Sequence, residues 1–414
     1  MEQKNQFKNG YTFNRIINGC WQLSSEHCLQ GHLDVRDALR AFHMLVDQGF
    51  TTFDCADIYT GVEEIIGQFV NELKRDGNYR EEDIQVHTKF VPDKAILPTI
   101  DRAYTERIVD RSLKRMHREA LDLVQFHWWD FNVPGMMDTA FDLVRLQEKG
   151  KIRNIGMCNM DTERLKMMVE AGIPVVSNQA QYSVFDRRPE RTLLDYSAEH
   201  GIYTFAYGTL AGGFLAERYM GKTYEAPETR SQVKYMQIIE DSLGWDGMQK
   251  LLPVLKAIAD NHGVSIANVA TQYILNQKSV GAVMVGTRNS RHVKSNLQTL
   301  EFDLTDEEMK MQNEGRRIFH RPELKVTCTC VRVPVMRSHS ISVTVKTERR
   351  IELDEARAAI AAYPGVRLID DYQGRNYPTP LDTSDQDLVF VGRLREDISD
   401  DTHHSLTFWC CGDQ

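Results

Sequence analysis

The chain has 414 residues, 42% of them hydrophobic and 26% charged, with a formal net charge of −9. That apolar share is ample for packed cores and argues against disorder, and an acidic chain with no basic tract interleaved with aromatics argues against a nucleic-acid partner. No run approaches the ~18 apolar residues of a membrane span, and Met1-Glu-Gln-Lys-Asn-Gln6 has no signal-peptide core; the expected setting is soluble and cytoplasmic, with no membrane partner.

In chain order, Ile16–Cys20 opens as a short apolar strand. Asp34 to Gly49 reads as a helix, because Val35, Ala38, Leu39, Phe42 and Val46 recur at helical spacing, Asp34 suits the cap and Gly49 the stop. A strand at Thr51–Asp54 and a helix from Val62 to Leu73 follow. The alternation continues with strand 84–90, helix 104–117, strand 121–127, helix 136–149, strand 152–158 and helix 161–171. Next come strand 175–181, helix 189–200, strand 202–207, helices 249–262 and 265–277, strand 280–286 and helix 290–298. Short apolar strands separated by helices demand a parallel sheet, and eight of them can close on themselves. The prediction for residues 1–311 is an α/β fold, a (β/α)8 TIM barrel. Ala211 to Gly247 is long for a barrel connection and reads as a lid or a surface excursion.

Active sites of such barrels form on the rim where strands end. Here those ends carry Trp21, Asp54, Lys89, His127, Asn159, Gln179, Tyr207 and Arg288. Acids, bases and amides at so many strand ends have little purpose in a fold built for stability alone. Taken singly, each has a plainer reading: a structural Asp–Lys pair, a packing tyrosine, a satisfied core histidine. Met157, Met160, Met167 and Met168 read as core filler.

Thr51-Thr-Phe-Asp-Cys-Ala-Asp-Ile-Tyr59, Lys89 after its strand, His127 after the next, and Ile152-Arg-Asn-Ile-Gly-Met-Cys-Asn159 together resemble the aldo-keto reductases over the first three quarters of the chain. The resemblance implies reduction of an aldehyde or ketone with Asp54, Tyr59, Lys89 and His127 as a catalytic tetrad. Tyr59 would be the acid, Lys89 would lower the phenol's pKa, Asp54 would orient Lys89, and His127 would hydrogen-bond the substrate oxygen. No Gly-x-Gly-x-x-Gly follows an early strand. The hydride source implied by the resemblance is NADP(H), with Asn159 and Gln179 on the carboxamide and Tyr207 stacked on the nicotinamide. Val285-Gly-Thr-Arg-Asn-Ser-Arg-His292 and Asn296 resemble the loop for the adenosine phosphate. Gly286 would allow close backbone approach, Arg288 would bind the 2′-phosphate and His292 would lie on the adenine side. Trp21, Trp128 and Trp129 are expected to line the substrate pocket, against a reading as ordinary packing. Cys158 stands where the family usually has serine, and His292 and Ser295 where it often has Gln and Glu.

After Leu304 the pattern changes to an α+β module with an antiparallel sheet, assigned to residues 312–414. Ile341, Val343 and Val345 alternate as in a half-buried strand, a helix follows at 354–362, and strands recur at 366–369, 387–394 and 406–411. Val326-Thr-Cys-Thr-Cys-Val-Arg-Val-Pro-Val335, Ser338-His-Ser340, Tyr377-Pro-Thr-Pro-Leu381 and Val391-Gly-Arg-Leu-Arg395 resemble the dimerisation region of aspartate-semialdehyde dehydrogenases. That resemblance matches Arg332 to a substrate-binding arginine and His339 to an acid/base. The nucleophilic cysteine and nucleotide domain of that family have no counterpart here, so thioester chemistry is not expected from the module. An incomplete module able to self-associate through exposed strands is. The eight cysteines have no zinc-ribbon spacing; reduced thiols and no metal are the expectation. Two other functional readings stand beside the reductase: a cofactor-binding regulatory subunit with little turnover, and semialdehyde dehydrogenase activity.

Overall fold

The computed structural model describes residues 2–413 apart from 26, 28–33, 78, 225–226, 228, 288, 306–307, 310–337, 372, 375 and 385–386. The chain divides into two compact units, Met1–Val326 and Thr327–Gln414. The boundary expected at 311/312 lies outside the described residues.

The first unit begins with a small antiparallel hairpin, β1 (Lys4–Gln6) and β2 (Thr12–Asn14). The alternation then runs β3 (Ile16–Gly19), α1 (Val35–Asp47), β4 (Thr52–Asp54), α2 (Val62–Asp76), β5 (Gln85–Phe90), α3 (Arg102–Met116), β6 (Leu123–Phe126) and α4 (Met136–Glu148). It continues with β7 (Ile155–Cys158), α5 (Thr162–Glu170), β8 (Val175–Gln181), α6 (Leu193–His200) and β9 (Tyr203–Tyr207). Helices α7 (Arg230–Ser242), α8 (Gly244–His262) and α9 (Ile266–Leu275) precede β10 (Val280–Gly286) and the short α10 (Val293–Leu297). Strands β3 to β10 close into a parallel barrel in the order β10-β3-β4-β5-β6-β7-β8-β9, the (β/α)8 fold read from the sequence.

The physical cause is visible in α1. Asp34 accepts from the amides of Arg36 and Asp37, both at 3.1 Å, which starts the helix. Its apolar stripe then carries Phe42 onto the barrel wall, with the ring 4.7 Å from that of Phe53 on β4 and 5.2 Å from that of Phe69 on α2. Burying one such side chain contributes about 1.5–3 kcal/mol.

The hairpin closes one mouth of the barrel. Asn5 donates to the Gly281 carbonyl at 3.2 Å, Asn9 to the Asn154 side chain at 2.7 Å, and the Tyr11 hydroxyl lies 3.1 Å from His87 Nε2. These partners stand near the starts of β10, β7 and β5. Phe7 and Phe13 pack there with Ile17, Leu123, Phe205 and Met284. His87 is fully buried, stacked on Phe205, and burial pushes its imidazole down to about 3, which keeps it neutral. Among the described residues the hairpin fills the strand-start mouth, which leaves the strand ends as the open side.

The segment Ala211–Gly247, read as a lid or a surface excursion, carries helix α7 and contributes to a core beside α8. Phe214 and Leu215 pack with Tyr235, Met236 and Ile239 of α7 and with Met248 and Leu252 of α8 in a core of their own. Among the described residues no helix is long and apolar enough to cross a membrane.

The second unit holds β11 (His339–Lys346), α11 (Leu353–Ala362), β12 (Val366–Leu368), α12 (Pro380–Thr383), β13 (Val389–Glu396) and β14 (Ser405–Gly412). Its sheet has the order β11-β14-β13-β12. Two pairings are antiparallel as expected, but β12 runs parallel to β13, so the sheet is mixed. The core is small: Ala356 of α11 meets Leu394 and Leu406, while Ile341, Leu381 and Ile398 are exposed. His339 is exposed at the start of β11, and Arg332 lies outside the described residues. Cys20, Cys55, Cys158, Cys410 and Cys411 are free thiols, all but Cys410 buried; Cys28, Cys328 and Cys330 lie outside the described residues.

Candidate active site

Strand register assembles the centre of the open mouth. Asp54 is the last residue of β4 and Lys89 the penultimate residue of β5, with Lys89 opposite Gln125 of β6. Lys89 Nζ donates to Asp54 Oδ2 at 2.5 Å and to the Cys55 carbonyl at 2.7 Å. Both side chains are almost wholly buried, at 4% and 6% exposure, so the pair belongs to the class whose disruption is costly. Asp54 Oδ1 accepts from Gln125 Nε2 at 2.7 Å and from Gln179 Nε2 at 2.9 Å, and Gln179 also donates to Gln125 Oε1 at 2.9 Å. Every oxygen of the buried carboxylate therefore has a partner.

Tyr59 stands in the turn after β4, half-buried, with Lys89 Nζ 5.1 Å from its ring centroid. The turn is tied down by Asp57, whose Oδ1 accepts from the Val91 amide at 3.1 Å and whose own amide donates to the Lys89 carbonyl at 3.4 Å. The loop that carries the phenol is thus stitched to the strand that carries the ammonium. Burial, with Glu63 nearby, pushes the Asp57 carboxyl up to about 7.

The electrostatics correct one expectation. Burial raises the Tyr59 phenol above the usual tyrosine range, and the Lys89 ammonium offsets only part of that rise. Burial also works against the charge on Lys89, yet Asp54 and Tyr59 hold its pKa above the usual lysine range. The site therefore presents a protonated phenol beside a firmly charged ammonium.

His127 follows β6, half-buried, its ring 4.6 Å from that of Trp129. Its Nδ1 lies 3.1 Å from the Cys158 carbonyl, which can only accept, so Nδ1 carries the proton and neutral Nε2 presents a lone pair. Burial lowers its pKa, the Cys158 carbonyl pulls the other way, and Lys89 lowers it further. The neutral ring thus accepts at Nε2, and the donation expected from His127 to a substrate oxygen would need the imidazolium.

Asn159 follows β7 in left-handed backbone (φ 58°), and its Oδ1 accepts from the Tyr207 hydroxyl at 2.8 Å. Gln179 is turned into the barrel, where both protons of its amide serve Asp54 and Gln125, leaving Oε1 for any ligand. Burial pushes the Cys158 thiol up to about 11, which keeps it neutral. Gly286 ends β10, and the space its Cβ would fill is occupied by the Gln22 amide, 2.7 Å away. His292 is exposed and Asn296 half-buried in the turns that follow, anchored to α1 where Ser290 donates to Asp37 at 2.8 Å. Arg288 lies outside the described residues.

Of the three tryptophans, Trp129 is 48% exposed beside His127, and Trp21 is half-buried with its ring 4.8 Å from that of His27. Trp128 departs from the expectation: it is 1% exposed, packs against Phe126 and donates to the Val133 carbonyl at 3.2 Å. Alternation explains this, since adjacent residues point to opposite sides. Gln125 was missed, although its place two residues before His127 puts it on the barrel interior. Helix α7 was not anticipated from the sequence.

Fold and mouth define the class: a (β/α)8 barrel with carboxylate, ammonium, phenol and imidazole on adjoining strand ends. Residues 15–315 match the aldo/keto reductase family, and residues 293–414 match the semialdehyde dehydrogenase dimerisation domain. The chain belongs to the aldo/keto reductase family. It is 27% identical over 317 residues to aldo-keto reductase YhdN of Bacillus subtilis, covering 75% of this chain and 92% of that one. Its end is 46% identical over 109 residues to aspartate-semialdehyde dehydrogenase of Synechocystis, 26% of this chain and 32% of that protein. The chain thus spans about a third of the length of the semialdehyde dehydrogenases it matches. An aldo/keto reductase from Klebsiella pneumoniae, solved in complex with NADP and acetate, shares the fold: TM-score 0.58 and 22% identity over 80% of this chain and 100% of that one.

Proposed function

We propose that the barrel unit reduces an aldehyde or ketone to an alcohol with NADPH, using Tyr59 as the general acid. The observation that carries this reading is the Tyr59 ring 5.1 Å from the Lys89 ammonium, whose charge Asp54 balances in a fully hydrogen-bonded buried set. A phenol with a raised pKa keeps its proton until an oxygen that is gaining negative charge takes it, and the ammonium then stabilises the phenolate. His127 borders the same space beside Trp129.

The residues present fit a nicotinamide cofactor. The Asn159 amide and the Tyr207 ring meet on the rim, where an aromatic face and an amide suit a flat carboxamide-bearing ring, and Gln179 Oε1 can accept from such a carboxamide. Gly286, Arg288, His292 and Asn296 would hold its phosphate and adenosine end. When bound, NADPH supplies the hydride that no side chain can. In the C-terminal unit, exposed strand residues such as Ile341 and Val389 support self-association through the sheet. The relation to a dimerisation domain favours the same.

The test is NADPH consumption by the full chain across a panel of aldehydes and ketones. Substrate-dependent oxidation of NADPH, with alcohol formed in equal amount, is expected. Nucleotide binding without turnover on any carbonyl compound would instead favour a regulatory subunit.

A further inference from the structure

Helix α7 packs against the end of β9 through Tyr235 and Lys234. The Tyr235 ring fills the space a side chain at Gly208 would need: a Cβ there would stand 2.4 Å from its hydroxyl oxygen, and Gly208 has a φ of +79° that favours glycine. One residue earlier in the helix, Lys234 leans onto Tyr207. Its Nζ is 4.7 Å from the centroid of the Tyr207 ring, 5.4 Å from that of Tyr235, and 3.5 Å from the Tyr207 hydroxyl oxygen. That hydroxyl donates to Asn159, so the ammonium lies towards the β7 side of the mouth.

This cation is half-buried and has no carboxylate within ion-pair distance among the described residues. The carboxylate that acts on it, Asp186, is already taken by Arg188 at 2.6 and 2.7 Å and by Gln181 at 2.6 Å. Burial lowers the Lys234 pKa, and Cys158 and Asp186 restore only part of it. An ammonium drawn out of water without a counter-charge is unfavourable, and two aromatic faces compensate it only partly. A ligand anion would complete the site.

The position says which ligand. Tyr207 ends β9, and its hydroxyl, 3.5 Å from Lys234 Nζ, donates to Asn159 after β7, so the ammonium stands on the rim at the strand ends that carry the candidate site. We propose that Lys234 is a substrate-anion site, selecting carbonyl compounds that carry a carboxylate or phosphate and holding that group at the mouth while the carbonyl reaches Tyr59. This specificity rests on the carbonyl-reductase reading above.

The test compares para-carboxybenzaldehyde with benzaldehyde on the full chain, as the ratio of their kcat/KM values with NADPH. Lys234→Met should lower that ratio by about tenfold to a hundredfold, the range for a hydrogen bond to a charged group, and Lys234→Arg should keep most of it. A ratio equal in the parent chain and Lys234→Met overturns the proposal. So does a weakened NADPH titration with an unmoved ratio, which would give the anion to the cofactor's diphosphate. Calorimetry with para-carboxybenzyl alcohol and benzyl alcohol reads the same preference without turnover. If neither aldehyde is reduced, the reductase reading fails by itself; tighter binding of the carboxylated alcohol, lost in Lys234→Met, still supports the anion site, and equal binding overturns it.

Discussion

Tyr59→Phe is expected to lower kcat/KM for carbonyl reduction by about a hundredfold to ten-thousandfold, the usual worth of a positioned general acid. The substitution removes one oxygen and leaves the ring over Lys89, so the Asp54–Lys89–Gln125–Gln179 set and the β4–β5 register have no reason to move. Steady-state kinetics and NADPH fluorescence titration separate the two effects: turnover falls, nucleotide affinity holds. The pH dependence follows from the sign of the shift. Burial holds the Tyr59 phenol above its ordinary range, so the acid form persists as pH rises, and the parent chain should show no loss of reduction from this group below about pH 10. Equal turnover in the variant would remove Tyr59 from the chemistry.

Asp54→Ala should be the most destabilising single change at the site. It leaves the Lys89 ammonium buried beside the Cys55 carbonyl with its countercharge gone, and it strips two amides of their acceptor. Removing one partner of a buried ion pair costs about 3–5 kcal/mol, which lowers the thermal midpoint of a unit this size by roughly 10 °C. Combining Asp54→Leu with Lys89→Met removes both charges and should recover much of that stability without recovering activity. Scanning calorimetry of the two variants with the parent checks both halves. A midpoint unchanged by Asp54→Ala would mean the pair carries little of the fold.

The barrel was legible because its strands and helices alternate along the sequence, and because helix caps such as Asp34 sit where the periodicity begins. The C-terminal sheet was legible in its strands but not in its pairing: β12 has only three residues, and nothing in Val366–Leu368 states which way it runs beside β13. The plugging hairpin escaped because three-residue strands carry no alternation, and its value lies in contacts with Asn154, His87 and Gly281, far away in sequence. Helix α7 hid within a segment rich in glycine, tyrosine and charge, since its apolar face matches a satellite core rather than the barrel. Asp54, Lys89 and His127 could be placed at strand ends from the sequence, whereas their grouping with Tyr59 came from the family resemblance. What could not be read was the balance of burial against the Lys89 charge, which decides the state of Tyr59. The tautomer that the Cys158 carbonyl imposes on His127 was likewise beyond the sequence.

The most direct measurement is the fate of the hydrogen that reduces the carbonyl. The full chain would be incubated with an aldehyde and NADPH deuterated at both positions of the reactive ring carbon, and the alcohol examined by mass spectrometry. The predicted product carries one deuterium on the former carbonyl carbon, and the label all but disappears with the yield in Tyr59→Phe. Alcohol without deuterium, or labelled alcohol formed equally well by Tyr59→Phe, would contradict a site in which this phenol protonates a carbonyl held over a nicotinamide.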